Sequence, residues 1–333
     1  MVNKIFVIKT SETNPWRNLA LEETLLNAVK PHECILYLWQ NRQTVVIGRN
    51  QNALNECRIQ KLEADGGFLA RRLSGGGAVY HDMGNLNFTF LACADSFDKE
   101  KQTDVILKAV RAAEIKAEKN GRNDLTVDGR KFSGHAYYKT KEQCYHHGTL
   151  MLYVDKTKLA DYLNVSPLKL KAKGVASVKS RVVNLCELKP GLTVEMLSDN
   201  LIKAFGEVYN LPVEYLSEKD VDANMLSRLE ARYSSPEWKY AGQEILSHSV
   251  EKRFDWGQAR LDYEADGNRF EKTQFYSDGL QADYLSEIAE RLRGCEINSE
   301  KILACLLENT DKELIPIAED IASMISENIA EVN

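Results

Sequence analysis

Residues 71–85 read Arg-Arg-Leu-Ser-Gly-Gly-Gly-Ala-Val-Tyr-His-Asp-Met-Gly-Asn, and this run constrains the chain more than any other. Three consecutive glycines form a loop whose backbone can approach a ligand closely and point successive N–H groups at one anion. Arg71 and Arg72 stand just before it, suited to bidentate contacts with phosphate or carboxylate. The run is not a Walker loop, since no Gly-Lys-Ser/Thr follows, and it lacks the glycine spacing of a dinucleotide fold. Glycines alone would equally make a flexible turn between strands. The arginines before them and His81-Asp82 after them favour a ligand-holding loop.

Strands and helices mix over the first 150 residues or so. Asn14-Pro15 starts a helix with Pro at its first position, and Leu21, Leu25, Ala28 and Val29 follow at helical spacing. Ile35-Leu36-Tyr37-Leu38-Trp39 and Thr44-Val45-Val46-Ile47-Gly48 read as paired strands joined by a turn at Gln40-Asn41-Arg42. A helix over 56–64 closes at Asp65-Gly66-Gly67, a strand is expected over 86–91 and a helix over 103–117. Asp128-Gly129 is a tight hairpin signal, and Thr149-Leu150-Met151-Leu152-Tyr153-Val154 reads as a buried strand. Short hairpins between strands predict an α+β fold, a mixed and mostly antiparallel sheet with helices on one side.

Residues 211–245 look irregular and polar, like the approach to a domain boundary. Beyond them Asp266-Gly267 turns a second hairpin. Two apolar stripes follow, Leu285, Ile288, Ala289 and Leu292, then Ile317, Ile321, Met324 and Ile325, which suit a small separate core. The expected division is a domain over 1–245 and a smaller α+β domain over 246–333.

A length of 333 residues suits one large domain and one small one. The net charge of −6 disfavours non-specific binding to nucleic acid or anionic membrane, so any anionic ligand must be held by a local site. No stretch approaches the roughly 18 apolar residues of a membrane helix, and the N-terminus reads as a first strand, not a signal peptide. Seven cysteines, scattered singly and odd in number, argue for free thiols in a reducing compartment, with the cytoplasm as default.

Three further clusters carry chemistry. Gly121-Arg122-Asn123-Asp124 leads into Asp128-Gly129-Arg130-Lys131-Phe132-Ser133-Gly134, where Lys131 is either an ordinary exposed charge or a site lysine. His146-His147-Gly148-Thr149 invites a zinc reading together with His81. Adjacent strand residues point to opposite faces, however, which makes the two histidines poor co-ligands. The basic, Ser-rich run over 171–185 is a solvated loop or a flap over a phosphate-containing intermediate.

Taken together and in order, these motifs resemble those of the lipoate–protein ligases of the biotin/lipoate ligase family, over essentially the whole chain. The matching segments are Asn14-Pro15-Trp16-Arg17-Asn18-Leu19-Ala20 with Glu22-Glu23, Thr44-Val45-Val46-Ile47-Gly48-Arg49, the glycine run, and Gly121-Arg122-Asn123-Asp124. The Lys131 and His146 motifs, the 171–185 segment and Pro236-Glu237-Trp238-Lys239-Tyr240-Ala241-Gly242 complete the set. Leu73 departs from the pattern, where a relative has Ser; the intact Ser-Gly-Gly-Gly after it leaves little effect to expect.

The resemblance implies a biotin/lipoate ligase-like catalytic domain followed by the small C-terminal domain of bacterial-type ligases. It implies a two-step reaction, in which lipoate and ATP give lipoyl-AMP and pyrophosphate, and an acceptor lysine then displaces AMP. Mg²⁺ would accompany ATP, and no tightly bound prosthetic group is expected. The implied partners are lipoyl-acceptor proteins, namely 2-oxoacid dehydrogenase acyltransferase subunits and the glycine cleavage H protein, served by a monomer. Carried over by position, Lys131 is the catalytic residue. Arg72, Gly75, Gly76, Gly77, Ala78, Val79, Tyr80 and Asn85 join it as contacts to ATP or lipoyl-adenylate. Asn123, Asp124, His147 and Thr149 lie on family motifs near that site, and no metal ligand is assigned.

The chemistry asks for such a set, because a carboxylate attacking an α-phosphate brings two anions together and needs fixed positive charge. Asp124 is the motif residue placed to orient or deprotonate the acceptor lysine. Val46, Leu69, Val79 and Leu150 are expected to line an apolar slot for the lipoyl tail. Two rivals remain open: a transferase of the same fold using Cys144 or Cys186 as a thioester, and a catalytically silent adaptor.

Overall fold

In the computed structural model, residues 1–120, 124–164, 182–241 and 244–329 are described. The Gly121-Arg122-Asn123 part of one motif and residues 171–181 of the basic 171–185 run lie outside them. The chain divides into two compact units. The first takes Met1–Val46, Cys57–Arg71 and Val79–Lys239, and the second takes Ile47–Glu56, Arg72–Ala78 and Tyr240–Asn333.

The first unit opens with β1 (Lys4–Lys9) and helix α1 (Pro15–Ala28). Asn14 caps α1 by accepting from the Trp16 N–H at 3.0 Å, and Pro15 follows at a position whose missing N–H costs nothing. Along the chain there follow β2 (Glu33–Trp39), β3 (Thr44–Ile47), the short helix α2 (Ala53–Glu56), which belongs to the second unit, the short helix α3 (Ile59–Ala64), and β4 (Phe68–Arg71). β5 (Val79–His81), β6 (Asn85–Cys93), helix α4 (Lys99–Ala112), β7 (Glu118–Asn120), β8 (Asp124–Val127), β9 (Arg130–Lys139) and β10 (Gln143–Met151) follow. Beyond them lie α5 (Lys156–Tyr162), α6 (Leu185–Leu188), α7 (Val194–Tyr209), β11 (Val213–Tyr215), α8 (Ala223–Ser234) and α9 (Pro236–Tyr240).

Eight strands form one sheet in the order β11-β1-β2-β6-β10-β9-β8-β7. Only the β11–β1 and β1–β2 pairs are parallel, so the sheet is mixed and mostly antiparallel, as expected. The hairpin at Asp128-Gly129 is present, with φ of 50° and 71° as a two-residue turn requires. β2 and β3 are not partners: β3 lies in a separate three-stranded sheet, β4-β3-β5. Two apolar strands joined by a short turn have the right pattern for a hairpin, but the pattern does not say which edge each will join.

Helices cover both faces of the large sheet, not one. On one face Leu86, Phe88 and Phe90 of β6 pack with Val105, Ile106 and Val110 of α4 and Leu201 and Phe205 of α7. On the other face α1 lies over alternate, polar residues of the same strands. Helix α8 packs on α1, with the Tyr233 hydroxyl donating to Glu23 Oε2 at 2.6 Å and Arg232 paired to the same carboxylate. The stretch expected to be irregular thus contains a helix, whose buried Leu226, Leu229 and Tyr233 recur at three- and four-residue spacing among charges.

In the second unit β12 (His248–Phe254), β13 (Gly257–Asp266) and β14 (Arg269–Ser277) form an antiparallel sheet. Helices α10 (Ala282–Leu292), α11 (Ser299–Leu307) and α12 (Ile315–Ile329) complete it. Leu285, Ile288 and Leu292 meet Ile321, Met324 and Ile325 in one core with Phe270, which realises the two predicted stripes. The cysteines are not all isolated, since Cys295 and Cys305 bring their sulfurs to 2.8 Å as free thiols. No helix among the described residues is long and apolar enough to cross a membrane.

Candidate active site

The α1-facing side of the large sheet carries polar residues where a simple two-layer sheet would carry apolar ones. Strand alternation places Asn85, Asn87 and Thr89 of β6 on this side, opposite Phe88 and Phe90. On β10 the same side holds Tyr145, His147 and Thr149. Leu150 therefore belongs to the core on the far side and cannot line a slot here, contrary to expectation. His146 and His147 diverge as the strand dictates.

His147 and Glu22 form the buried centre of this face. The His147 Nδ1–H donates to Glu22 Oε1 at 2.8 Å, and the Thr89 hydroxyl donates to the same oxygen at 2.7 Å. Trp39 Nε1 in turn donates to Thr89 Oγ1 at 3.1 Å. Glu22 was legible only as part of a motif; its partner lies 125 residues away, and no local spacing reveals it. His81 takes a different place, its Nδ1 beside Asn41 Nδ2 at 3.2 Å and its ring edge-on to Trp39. Among the described residues no group of three His, Cys, Asp or Glu side chains is gathered to hold a metal ion.

At the other end of the face Lys131 Nζ pairs with Asp124 Oδ1 at 2.7 Å. A β-bulge between Leu125 and Thr126 shifts the β8–β9 register just there, bringing Lys131 and Gly134 to the same side. A Cβ added to Gly134 would sit 2.8 Å from Lys131 Nζ, so the ammonium rests where a side chain would otherwise be. The Gly134 N–H points to Thr149 Oγ1 at 3.4 Å. The pair registers set Trp39, Asn87 and Thr149 side by side and Gly134 beside Asp124, and the Gly134–Thr149 contact joins them into one row across five strands.

Behind this face a chain of buried hydrogen bonds supports the strands. Gln102 Oε1 accepts from His146 Nδ1 at 3.1 Å, and His146 Nε2 accepts from His135 Nδ1 at 2.9 Å. His135 Nε2 accepts from the Ser133 hydroxyl at 3.0 Å, which leaves both rings neutral. Burial pushes the His135 pKa down to about 3 and holds that of His146 well below its usual range. Unfolded, each ring binds a proton below about pH 6.5, whereas folded it does not, so acid favours unfolding. Stability is therefore expected to fall as pH drops from 7 to 5, by up to about 1.4 kcal/mol per pH unit for each ring. Urea midpoints that stay flat over that range would show the rings are not held neutral.

The glycine loop is organised by its own arginine. Arg72 is buried, its Nε donating to Ser74 Oγ at 3.0 Å and its Nη2 to the carbonyls of Gly75 at 2.7 Å and Gly77 at 2.9 Å. In a trans peptide the next N–H points opposite to the carbonyl, so the amides of Gly76 and Ala78 are turned away from the guanidinium. Gly76 has φ of 93°, which only glycine adopts without strain, and its N–H donates to Gly279 O at 3.1 Å. Val79 and Tyr80 follow on β5, paired with Val46 and Val45 of β3. Asn85 donates its side-chain amide to Asn87 Oδ1 at 2.8 Å.

The family model of the lipoyl protein ligase A/B catalytic domain matches residues 14–206, and that of the bacterial lipoate protein ligase C-terminus matches residues 246–326. The chain belongs to the lipoyl protein ligase A/B family. The lipoate-protein ligase A of Psychrobacter cryohalolentis is 38% identical over 332 residues, covering 97% of this chain and 98% of that protein. Among solved structures, that of P. falciparum LipL1 in complex with lipoate is 27% identical with a TM-score of 0.84, covering 97% of this chain and 99% of that one. A lipoate-protein ligase A bound with ATP shares the fold at 24% identity and a TM-score of 0.61, over 72% of this chain and 99% of that one. The chain is thus a lipoate–protein ligase in fold and class.

Proposed function

We propose that this ligase activates lipoate with ATP to lipoyl-AMP, releasing pyrophosphate, and then transfers the lipoyl group to a lysine of an acceptor protein. The observation that carries the reading is the Lys131–Asp124 pair over Gly134, which sets a positive charge beside an otherwise buried polar face. The ATP-bound and lipoate-bound relatives support the choice of substrates. In the first step a lipoate carboxylate oxygen attacks the α-phosphorus and pyrophosphate leaves. Lys131 supplies charge where negative charge builds, and the Ala78 amide, turned away from Arg72, is a further proposed donor. In the second step the acceptor amine, having lost its proton, attacks the acyl carbonyl and AMP leaves.

Val79, Tyr80, Asn85, Asn123, His147 and Thr149 complete the proposed ligand contacts, Asn123 lying outside the described residues. Mg²⁺ would enter with ATP, and Asp124 fits it as the carboxylate paired with Lys131. An ion held largely by substrate phosphates needs little more from the protein. The proposed acceptors are the lipoyl domains of 2-oxoacid dehydrogenase complexes and the glycine cleavage H protein. The enzyme is proposed to be a cytoplasmic monomer with its catalytic domain over 1–245 and an accessory domain over 246–333. Incubation with lipoate, Mg·ATP and a lipoyl domain should add one lipoyl group to one lysine, read by mass spectrometry. An unmodified domain under those conditions would refute the reading.

The transferase alternative needs a reactive thiol, and the two candidates point the other way. Burial raises the Cys144 pKa to about 11 and raises that of Cys186 as well. Cys144→Ser and Cys186→Ser should each keep most of the activity. A loss of about 10³ in either, with a trapped acyl-thioester, would favour the transferase.

A further inference from the structure

The polar face holds a buried amide donor with no partner among the described residues. Asn87 is 1% exposed, and its Oδ1 accepts from Asn85, which turns its Nδ2 the other way. That Nδ2 has no hydrogen-bond partner among the described residues. A buried amide N–H without an acceptor is destabilising, and such groups persist where a ligand completes them. The neighbours indicate where a ligand would lie. In the row across the sheet Asn87 stands between Trp39 and Thr149, and Thr149 stands next to Gly134 with the Lys131 ammonium over it.

We propose that Asn87 is a further substrate-positioning residue of this ligase, its side-chain amide donating to the carboxyl oxygen of the acid being activated. The proposal rests on the ligase reading above. Lipoate offers strong hydrogen-bond acceptors only at its carboxyl group, so a donor on the acyl-binding face has one atom type to meet. Asn87 and Gly134 are two strands apart, roughly 10 Å between backbones. Side chains reaching inward from both ends of that span bracket a single carboxyl group, with Lys131 on one oxygen and Asn87 on the other. The oxygen that Asn87 holds remains an acceptor as the acyl carbonyl of the adenylate, so the same contact serves both steps.

The test compares Asn87→Leu, which removes the donor at similar volume, and Asn87→Thr, which keeps an acceptor for Asn85. In lipoate-dependent pyrophosphate exchange both variants should raise the KM for lipoate about tenfold or more and leave the KM for ATP unchanged. The thermal midpoint of the ligand-free Asn87→Leu protein should change little, because the unpaired amide goes while Asn85 loses its acceptor. A wild-type lipoate KM in both variants would overturn the proposal. So would a loss of folding in both, or equal losses toward lipoate and ATP, since the amide would then be structural. Absence of lipoate-dependent exchange in the wild-type enzyme would instead overturn the ligase reading itself.

Discussion

Lys131→Ala is expected to fold normally and to lose lipoate-dependent pyrophosphate exchange by about 10²–10³, the usual cost of removing one preorganised donor to developing negative charge. Folding should survive because the side chains of Lys131 and Asp124 are 40% and 46% exposed. An ion pair so open to water contributes at most about 1 kcal/mol to stability. Arginine should rescue poorly, since a planar fork does not fit a position set by one compact ammonium beside Gly134. Synthetic lipoyl-AMP should restore part of the transfer to acceptor, because the first barrier is bypassed. Wild-type exchange in Lys131→Ala would remove this residue from the mechanism.

Gly134→Ala should imitate that loss while leaving Lys131 in the sequence. The new methyl would lie 2.8 Å from Nζ and 2.9 Å from Cε, closer than real contacts allow. Both atoms belong to the flexible end of a half-exposed side chain, so the lysine yields and the strand does not. Alanine also suits a strand better than glycine, and the thermal midpoint should change little. The ammonium must leave its place, and a displacement of about 1 Å at a reacting centre can cost ~10² in rate. Exchange in Gly134→Ala is expected to fall to that extent with circular dichroism unchanged. Undiminished exchange would mean the ammonium does not act from the position over Gly134.

What the sequence revealed tracks how local the cause is. The Asp128-Gly129 turn and the Asn14-Pro15 helix start depend on backbone preferences of a few residues, and both stand as read. The pairing of β2 depends on distant β1 and β6, and the false β2–β3 hairpin follows from having no signal for that choice. Helix α8 was hidden by composition, its three buried residues spread among Arg228, Glu230 and Arg232. In the candidate site the motifs marked His147, Thr149 and Lys131 but not their geometry. The Glu22–His147 bond, the bulge that turns Lys131 toward Gly134, and the bare amide of Asn87 all arise from strands meeting across the fold.

Isotope exchange between pyrophosphate and ATP, with and without lipoate and with no acceptor protein present, tests the two-step reaction most directly. The account predicts exchange that requires lipoate and is nearly abolished in Lys131→Ala. Exchange absent from the wild-type enzyme, with acyl groups still transferred from a thioester donor, would contradict it.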